Sequence, residues 1–124
     1  MKKIALLFIL SFVCVAFQYC EKARDGYLLP RDEVPGWLTS RIDNDELLIK
    51  EARAYSANYG AWLRFKWNNT MYFEYHNPVL SSLPVAVSFS GDTIEFSGNG
   101  DYQDYLKYKC CQIFVWKAPG YVDF

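Results

Sequence analysis

The chain opens with an apolar run that differs from every later segment. Lys2 and Lys3 precede fourteen residues, 4–17, that only Ser11 interrupts with a polar side chain, and Cys20 follows closely. A basic start, an apolar stretch and a processing site in this order are typical of a secretory signal. As a helix the run would rise only about 21 Å, short of the ~30 Å hydrocarbon core of a bilayer. We therefore predict a signal segment rather than a membrane-spanning helix.

From residue 35 onward the apolar positions follow a helical period. Pro35 suits the first turn of a helix, and Asp32 and Glu33 lie close to its positive end. The apolar face continues to Tyr55, and only the polar residues 43–45 interrupt it. The pattern predicts one helix, or two helices with a break at 43–45. The chain reaches Asn58 and Gly60 at the predicted end of this region.

After Gly60 the hydrophobic period changes to two. Residues 62–67 and 71–76 alternate between polar and apolar side chains and flank the sequence Asn-Asn-Thr. Alternation on both sides of a short polar turn predicts a β-hairpin.

The register of this hairpin depends on the length of its loop. A two-residue loop pairs Trp67 with Thr70 and places Glu74 opposite an apolar residue. A three-residue loop pairs Trp67 with Met71, collects the apolar side chains on one face, and sets Arg64 opposite Glu74. We expect the three-residue loop because it keeps the acid off the apolar face.

The remaining segments predict a second hairpin, a short helix and a last strand. Ser90 would pair with Thr93 in the hairpin, Asp101 is in position to cap a helix over 102–109, and 111–116 has a strand pattern. The elements together predict an α+β fold. An N-terminal helix would pack on one face of a four- to five-stranded antiparallel meander.

Two processing sites compete at the end of the signal. Cys20 has the position of a lipidated cysteine and a polar stretch follows it, although Tyr19 stands where a small residue is expected. The alternative is ordinary cleavage after Ala16, with Cys14 as the second small residue of the A-x-A pattern. We favour lipidation at Cys20. The chain then divides into a signal peptide (1–19), a lipidated linker (20–33) and a single α+β domain (34–124).

Composition and charge reduce the number of functional classes that fit the chain. Removal of Lys2 and Lys3 lowers the 13 basic residues to 11 against 14 acidic ones, a net charge of about −3. The basic residues are scattered, so the electrostatic footprint of a nucleic-acid-binding protein is missing. Aromatic residues make up 19% of the chain, and large rings both fill small cores and form binding surfaces. We expect Trp62 and Tyr72 to lie on an exposed sheet face and to bind a ligand.

The residues that carry chemistry are few. Lipidation at Cys20 leaves Cys110 and Cys111 as a pair, which we interpret as small buried residues of a strand. A redox switch or an intermolecular bridge is the other interpretation. The spacing of Cys and His does not match a zinc site, and no nucleophile is placed beside His76, the single histidine. We predict no metal, no cofactor and no catalytic residue.

Several segments together resemble a known family. A cysteine followed by acidic residues precedes a Pro-led helix start at 34–38, and a Tyr/Trp-rich hairpin at 63–75 follows it. A Gly-rich loop with Asp101 and a final Trp116 complete the outline, which resembles a family of small bacterial envelope lipoproteins of unknown function. The cysteines of that family follow the first hairpin and the Gly-rich loop, whereas here they stand later. The resemblance implies no catalytic residues.

These observations predict a non-enzymatic envelope lipoprotein that acts as a small binding module. Its partners would be the membrane, through the lipid on Cys20, and an unknown protein or glycan. One alternative is a periplasmic inhibitor or immunity-type protein whose acidic loop 97–101 blocks an enzyme. The other is a secreted protein cleaved after Ala16.

Overall fold

The computed structural model describes residues 27–123, so the predicted signal segment, Cys20 and the start of the linker lie outside the described residues. Within residues 27–123 the chain forms two α-helices and four strands. These elements are α1 (Gly36–Lys50), β1 (Ala61–Trp67), β2 (Thr70–His76), β3 (Val87–Ser88), α2 (Asn99–Tyr108) and β4 (Cys110–Lys117). All four strands pair antiparallel in one sheet, which confirms the predicted α+β class.

The strand order differs from the predicted meander. It is β3-β2-β1-β4, so the last strand lies beside the first and not beside the third. The lengths of the strands explain the difference: β3 has two residues, whereas β1 offers a free edge of seven to the eight residues of β4. β1 is therefore a central strand with partners on both sides.

α1 is one continuous helix with its apolar residues turned to the sheet. Pro35 precedes its first residue, and Leu38 and Ile42 are fully buried. The polar segment 43–45 does not break the helix because two of its three residues lie on the exposed side. The helix ends earlier than predicted, at Lys50, and Ala52 then adopts a left-handed conformation with φ of 53°. A separate 3-10 turn spans Tyr55–Tyr59.

The first hairpin has a two-residue loop, so the predicted three-residue loop is wrong. Trp67 pairs with Thr70, and Asn68 and Asn69 have φ of 46° and 62°. Two consecutive positive φ values are those of a type I′ turn, whose twist matches that of the flanking strands. Asparagine tolerates this conformation better than most residues, so the local turn chemistry sets the register. Glu74 consequently lies opposite Leu63 on an apolar face.

The sheet has a covered face on each side. α1 packs on one face, where Leu38 and Ile42 form a core with Trp62, Phe73 and Trp116. The other face carries a second buried cluster, and Tyr105 of α2 is buried on the same face against Trp67 and Tyr72. The buried sheet residues of this cluster are Ala61, Leu63 and Phe65. The fold is thus more than the predicted helix on one face, because a second, short helix covers part of the opposite face.

The second hairpin is shorter than predicted and has another register. Val87 bridges Thr93, and Ser88 N–H donates to Asp92 O at 2.8 Å, so Ser90 does not pair with Thr93. The Ser88 hydroxyl accepts the Asp92 N–H at 3.1 Å and lies 2.9 Å from the Ser90 hydroxyl. These side-chain contacts satisfy the backbone of a wider loop, which a two-residue turn would not accommodate.

The domain begins before the predicted boundary at residue 34. Tyr27 forms an isolated bridge with Trp116, and Leu28 N–H donates to Val115 O at 2.8 Å. Part of the predicted linker therefore covers the outer edge of β4. No helix within residues 27–123 has the length and apolarity needed to cross a bilayer.

Candidate functional site

An open groove of about 440 Å³ lies between α1 and the segment that follows β2. α1 contributes Arg41 and Asp45, and the sheet contributes Trp62 and Tyr75. The remaining lining residues, all from the later segment, are Ser82, Leu83, Val85, Val87 and Thr93. We refer to these nine residues as the α1 groove.

Trp62 lies in the wall of this groove rather than on an exposed sheet face. Its side chain is only 4% exposed because α1 covers the face that it occupies. The indole packs against Trp37, with 5.8 Å between ring centroids, and the Arg41 guanidinium lies 5.9 Å from its ring centroid. This arrangement corrects the prediction that the ring is an exposed platform.

The indole N–H of Trp62 makes no hydrogen bond. Among the described residues, Nε1 of Trp62 is the single buried side-chain polar atom without a partner. A buried donor left unpaired costs about 1–3 kcal/mol. Unpaired buried donors of this kind are few in folded proteins.

Opposite charges and an apolar rim complete the α1 groove. Arg41 and Asp45 stand one helical turn apart on α1. Burial raises the pKa of Asp45, and the positive charge of Arg41 acts in the opposite direction. Leu83 and Val85 form the rim and are 75% and 54% exposed. The groove therefore offers the guanidinium of Arg41, the partly buried carboxyl of Asp45 and uncovered apolar surface.

Tyr72, the second predicted ligand residue, lies on the opposite face of the sheet. It pairs with Phe65 in the hairpin, and its ring contacts Trp67 and Tyr105 at centroid distances of 6.2 and 6.5 Å. Neighbouring aromatic rings and α2 therefore surround it. Trp62 and Tyr72 do not line one site, which corrects the prediction that both belong to a single aromatic surface.

Sequence reasoning missed a buried charged cluster on the same face as Tyr72. Glu74 is 1% exposed and is the one buried charged residue within 27–123. Lys109 Nζ donates to its two carboxylate oxygens at 3.0 and 3.1 Å, and the Tyr105 hydroxyl donates to Oε1. His76 Nε2 lies 2.7 Å from Oε2. We call these four residues the Glu74 cluster.

The hydrogen bonds of the cluster favour the charged form of the carboxylate. Burial alone would raise the pKa of Glu74, but the hydrogen bonds from His76, Tyr105 and Lys109 outweigh burial and lower it. Burial and the hydrogen bond to the carboxylate both raise the pKa of Tyr105. Glu74 is therefore a charged tie between β2 and α2 rather than a free acid or base. The sequence contains one signal of this cluster, the two-residue loop of the first hairpin, because only that loop length places Glu74 on the apolar face.

His76 also borders a small open cleft of about 320 Å³, which Ser82 and Tyr121 share. Serine, histidine and an acid thus stand in one neighbourhood, as in a hydrolytic triad. Within residues 27–123, however, no hydrogen bond joins Ser82 to His76. Nε2 of His76 faces the Glu74 carboxylate, which Tyr105 and Lys109 also bind.

Cys110 and Cys111 are exposed at the start of β4, so their interpretation as buried residues is wrong. Cys111 has φ of 63°, which breaks the alternation of side chains expected in a strand. The neighbouring Cys111 thiol raises the pKa of Cys110. Sequence spacing alone predicts a regular strand here and gives no sign of the left-handed conformation.

Within residues 27–123, no group of three or more His, Cys, Asp or Glu side chains is arranged to hold a metal ion. Comparison of the chain with protein-family models, with curated proteins and with solved structures found no match.

Proposed function

We propose that the protein is a non-enzymatic binding module of the bacterial cell envelope, that a lipid on Cys20 anchors it, and that it binds a protein partner in the α1 groove. The observation that carries the proposal is the composition of this groove. Two opposite charges, those of Arg41 and Asp45, lie beside an uncovered apolar rim. Apolar pockets with a few convergent polar groups are the usual form of binding sites.

The groove favours a protein segment over a glycan. Sugars commonly stack on the open face of an aromatic ring, but Trp62 is 4% exposed and offers no such face. Leu83 and Val85 instead present side chains that suit an apolar residue of a partner, and Arg41 and Asp45 suit the polar groups beside it. The Glu74 cluster is not part of this site, because its hydrogen-bonding capacity is used within the domain.

A lipid on Cys20 would also restrict where the partner is found. Seven peptide units separate Cys20 from Tyr27, the first described residue, which forms a bridge with Trp116. A chain of that length spans at most about 25 Å when it is fully extended. The domain would then remain close to the membrane surface, and so would the protein that it binds.

Site-specific photo-cross-linking in cells tests the groove. A photoreactive amino acid at Leu83, on the rim, is expected to yield a defined cross-linked product. The matched control is Leu106 on α2, an exposed leucine outside the groove, and a third position is Ser97 in the acidic loop. The Leu83 product should be lost when Arg41→Ala is added. Equal products at Leu83 and Leu106, or none at Leu83, would overturn the proposal.

The same experiment separates the alternatives. A product at Ser97 and not at Leu83 would support the inhibitor or immunity-type function instead.

The lipid anchor is tested separately by Cys20→Ala, with Cys14→Ala as the control. The measurements are the mass of the mature protein and its membrane fractionation. An unchanged mass and fractionation in Cys20→Ala would contradict lipidation. A mature chain that starts at residue 17 would support secretion after cleavage at Ala16.

A further inference from the structure

Arg41 differs from the other arginines of the domain because no carboxylate pairs with it. Residues 27–123 contain four arginines. Three of them form ion pairs at 3.3–3.7 Å: Arg31 with Asp43, Arg53 with Glu51, and Arg64 with Glu33. Arg41 lines the α1 groove and has no such partner in this part of the chain. Its one close contact is with the ring of Trp62, at 5.9 Å from the centroid.

Asp45 is the matching exception among the three acidic residues of α1. Asp43 accepts a hydrogen bond from the Tyr27 hydroxyl at 3.2 Å, and Glu46 accepts the indole N–H of Trp116 at 2.9 Å. Asp45 is half-buried in the groove, but no group within residues 27–123 donates a hydrogen bond to it or forms an ion pair with it.

Arg41 and Asp45 also do not pair with each other. They stand one turn apart on α1, a separation at which opposite charges commonly meet. Within the described chain, however, no ion pair joins them. Both charges are therefore available in the groove, beside the exposed apolar side chains of Leu83 and Val85.

The charge of Asp45 is unfavourable for the free domain. A carboxylate that is partly removed from water and receives no hydrogen bond loses hydration without compensation. Burial outweighs the attraction of Arg41 and raises the pKa of Asp45, so the folded domain binds the proton more tightly than the unfolded chain. The charged form that is present at pH 7 therefore lowers stability. Residues that lower the stability of a free protein are typical of functional sites.

We infer that the partner segment in the α1 groove carries an acidic side chain that pairs with Arg41, a basic side chain that pairs with Asp45, and an apolar side chain that covers Leu83 and Val85. This inference rests on the proposed function and states the chemistry of the segment that binds. Complementary charges at an interface select the partner and fix its orientation, because the reversed order brings like charges together. Arg41 and Asp45 are thus the residues that determine specificity.

Charge variants test the inference in the chain that carries the photoreactive amino acid at Leu83. Asp45→Asn keeps the size of the side chain and removes one charge pair, so the yield of the cross-linked product should fall at least about fivefold. The exchange of Arg41→Asp with Asp45→Arg keeps the net charge but reverses its order, and should lower the yield as much. Glu51→Gln is the matched control. Glu51 follows α1 directly, is exposed and pairs with Arg53, so its loss should leave the yield unchanged.

Thermal melts of the purified full chain separate binding from folding. Asp45→Asn should raise Tm at pH 7, because it removes a charge that burial disfavours. The gain should disappear below about pH 3.8, the ordinary pKa of this carboxyl, where the folded and unfolded wild-type chains are both protonated. A Tm below that of the wild type at pH 7 would overturn the inference, because the carboxylate would then serve the fold.

The cross-linking results distinguish this inference from the proposed function. If the wild-type chain gives no product at Leu83, partner binding in the groove is contradicted and the inference fails with it. If the wild-type chain gives a product whose yield Asp45→Asn or the exchanged pair leaves unchanged, the groove still binds a partner. In that case only the charge pairing inferred from Arg41 and Asp45 is overturned.

Discussion

Replacing Glu74 with glutamine removes the buried charge and keeps the size and shape of the side chain. The carboxylate is 1% exposed and accepts hydrogen bonds from Tyr105 and Lys109, with His76 Nε2 at 2.7 Å. Glutamine retains one carbonyl oxygen but loses the charge opposite Lys109. It also brings an NH₂ group toward Lys109, whose ammonium cannot accept a hydrogen bond. The variant therefore isolates the value of the charge from the value of packing.

The expected loss is about 3 kcal/mol of unfolding free energy. Removing one partner of a fully buried ion pair costs roughly 3–5 kcal/mol because the other charge is left uncompensated. The lower end applies here because the Lys109 side chain is 18% exposed, so water partly solvates the remaining ammonium. For a domain of this size a 3 kcal/mol loss lowers Tm by roughly 12–24 °C.

Urea denaturation of the full chain at pH 7, followed by tryptophan fluorescence, measures this loss. Lys107→Met is the matched control. Lys107 lies on α2, as Tyr105 does, but it is exposed and outside the Glu74 cluster. The double variant Glu74→Leu with Lys109→Met removes both charges together. It should recover part of the stability, because apolar residues of similar volume often replace a buried pair without loss, whereas the buried Tyr105 hydroxyl still loses its acceptor.

The pH dependence has a definite sign. The pKa of Glu74 is lower in the folded protein than its ordinary value of 4.5, so the folded state binds the proton less tightly than the unfolded state. The stabilisation is fully present above about pH 4.5 and is lost as the pH falls through the folded-state pKa. The difference in unfolding free energy between wild type and Glu74→Gln should therefore decrease below pH 4.5. A difference under about 1 kcal/mol at pH 7, or one that does not change between pH 7 and pH 3, would refute this reasoning.

Two further predictions concern the backbone. A Cβ atom on Gly60 would lie 2.0 Å from the Tyr75 hydroxyl. Gly60→Ala should therefore displace the Tyr75 side chain and destabilise the domain by about 1–2 kcal/mol in thermal melts. An unchanged Tm would contradict this close packing. Asn69 has φ of 62° in the type I′ turn, so Asn69→Gly should stabilise the domain by about 0.5 kcal/mol in urea denaturation, and a loss of stability would contradict the turn assignment.

The sequence predicted the class of fold because period and turn residues are local signals. The helix after Pro35, the hairpin after Gly60 and the final strand ending near Trp116 are all present in the structure. The strand order was not predictable in the same way. It depends on β3 being too short to pair with β4, and the pattern of residues 85–97 suggested a longer hairpin.

The candidate sites were less predictable because their residues are distant in the sequence. An acid at Glu74 does not fit the apolar pattern of its face. Its partners Tyr105, in α2, and Lys109, directly after α2, lie more than thirty residues later in the sequence. Trp62 is among the residues that line the α1 groove, and its role in binding is a proposal. The prediction that its ring is exposed was wrong. Which face α1 covers decides that exposure, and period-two alternation does not say which face it is.

The covering of β4 by Tyr27 and Leu28 has a consequence for self-association. A sheet edge with free N–H and C=O groups is a template on which other chains aggregate. At one edge of this sheet β3 has only two residues. At the other edge Tyr27 and Leu28 occupy the stretch at Val115 and Trp116, and the left-handed Cys111 interrupts what is left. Neither edge offers a long, regular strand, so the fold itself opposes edge-to-edge polymerisation when many copies are concentrated on one surface.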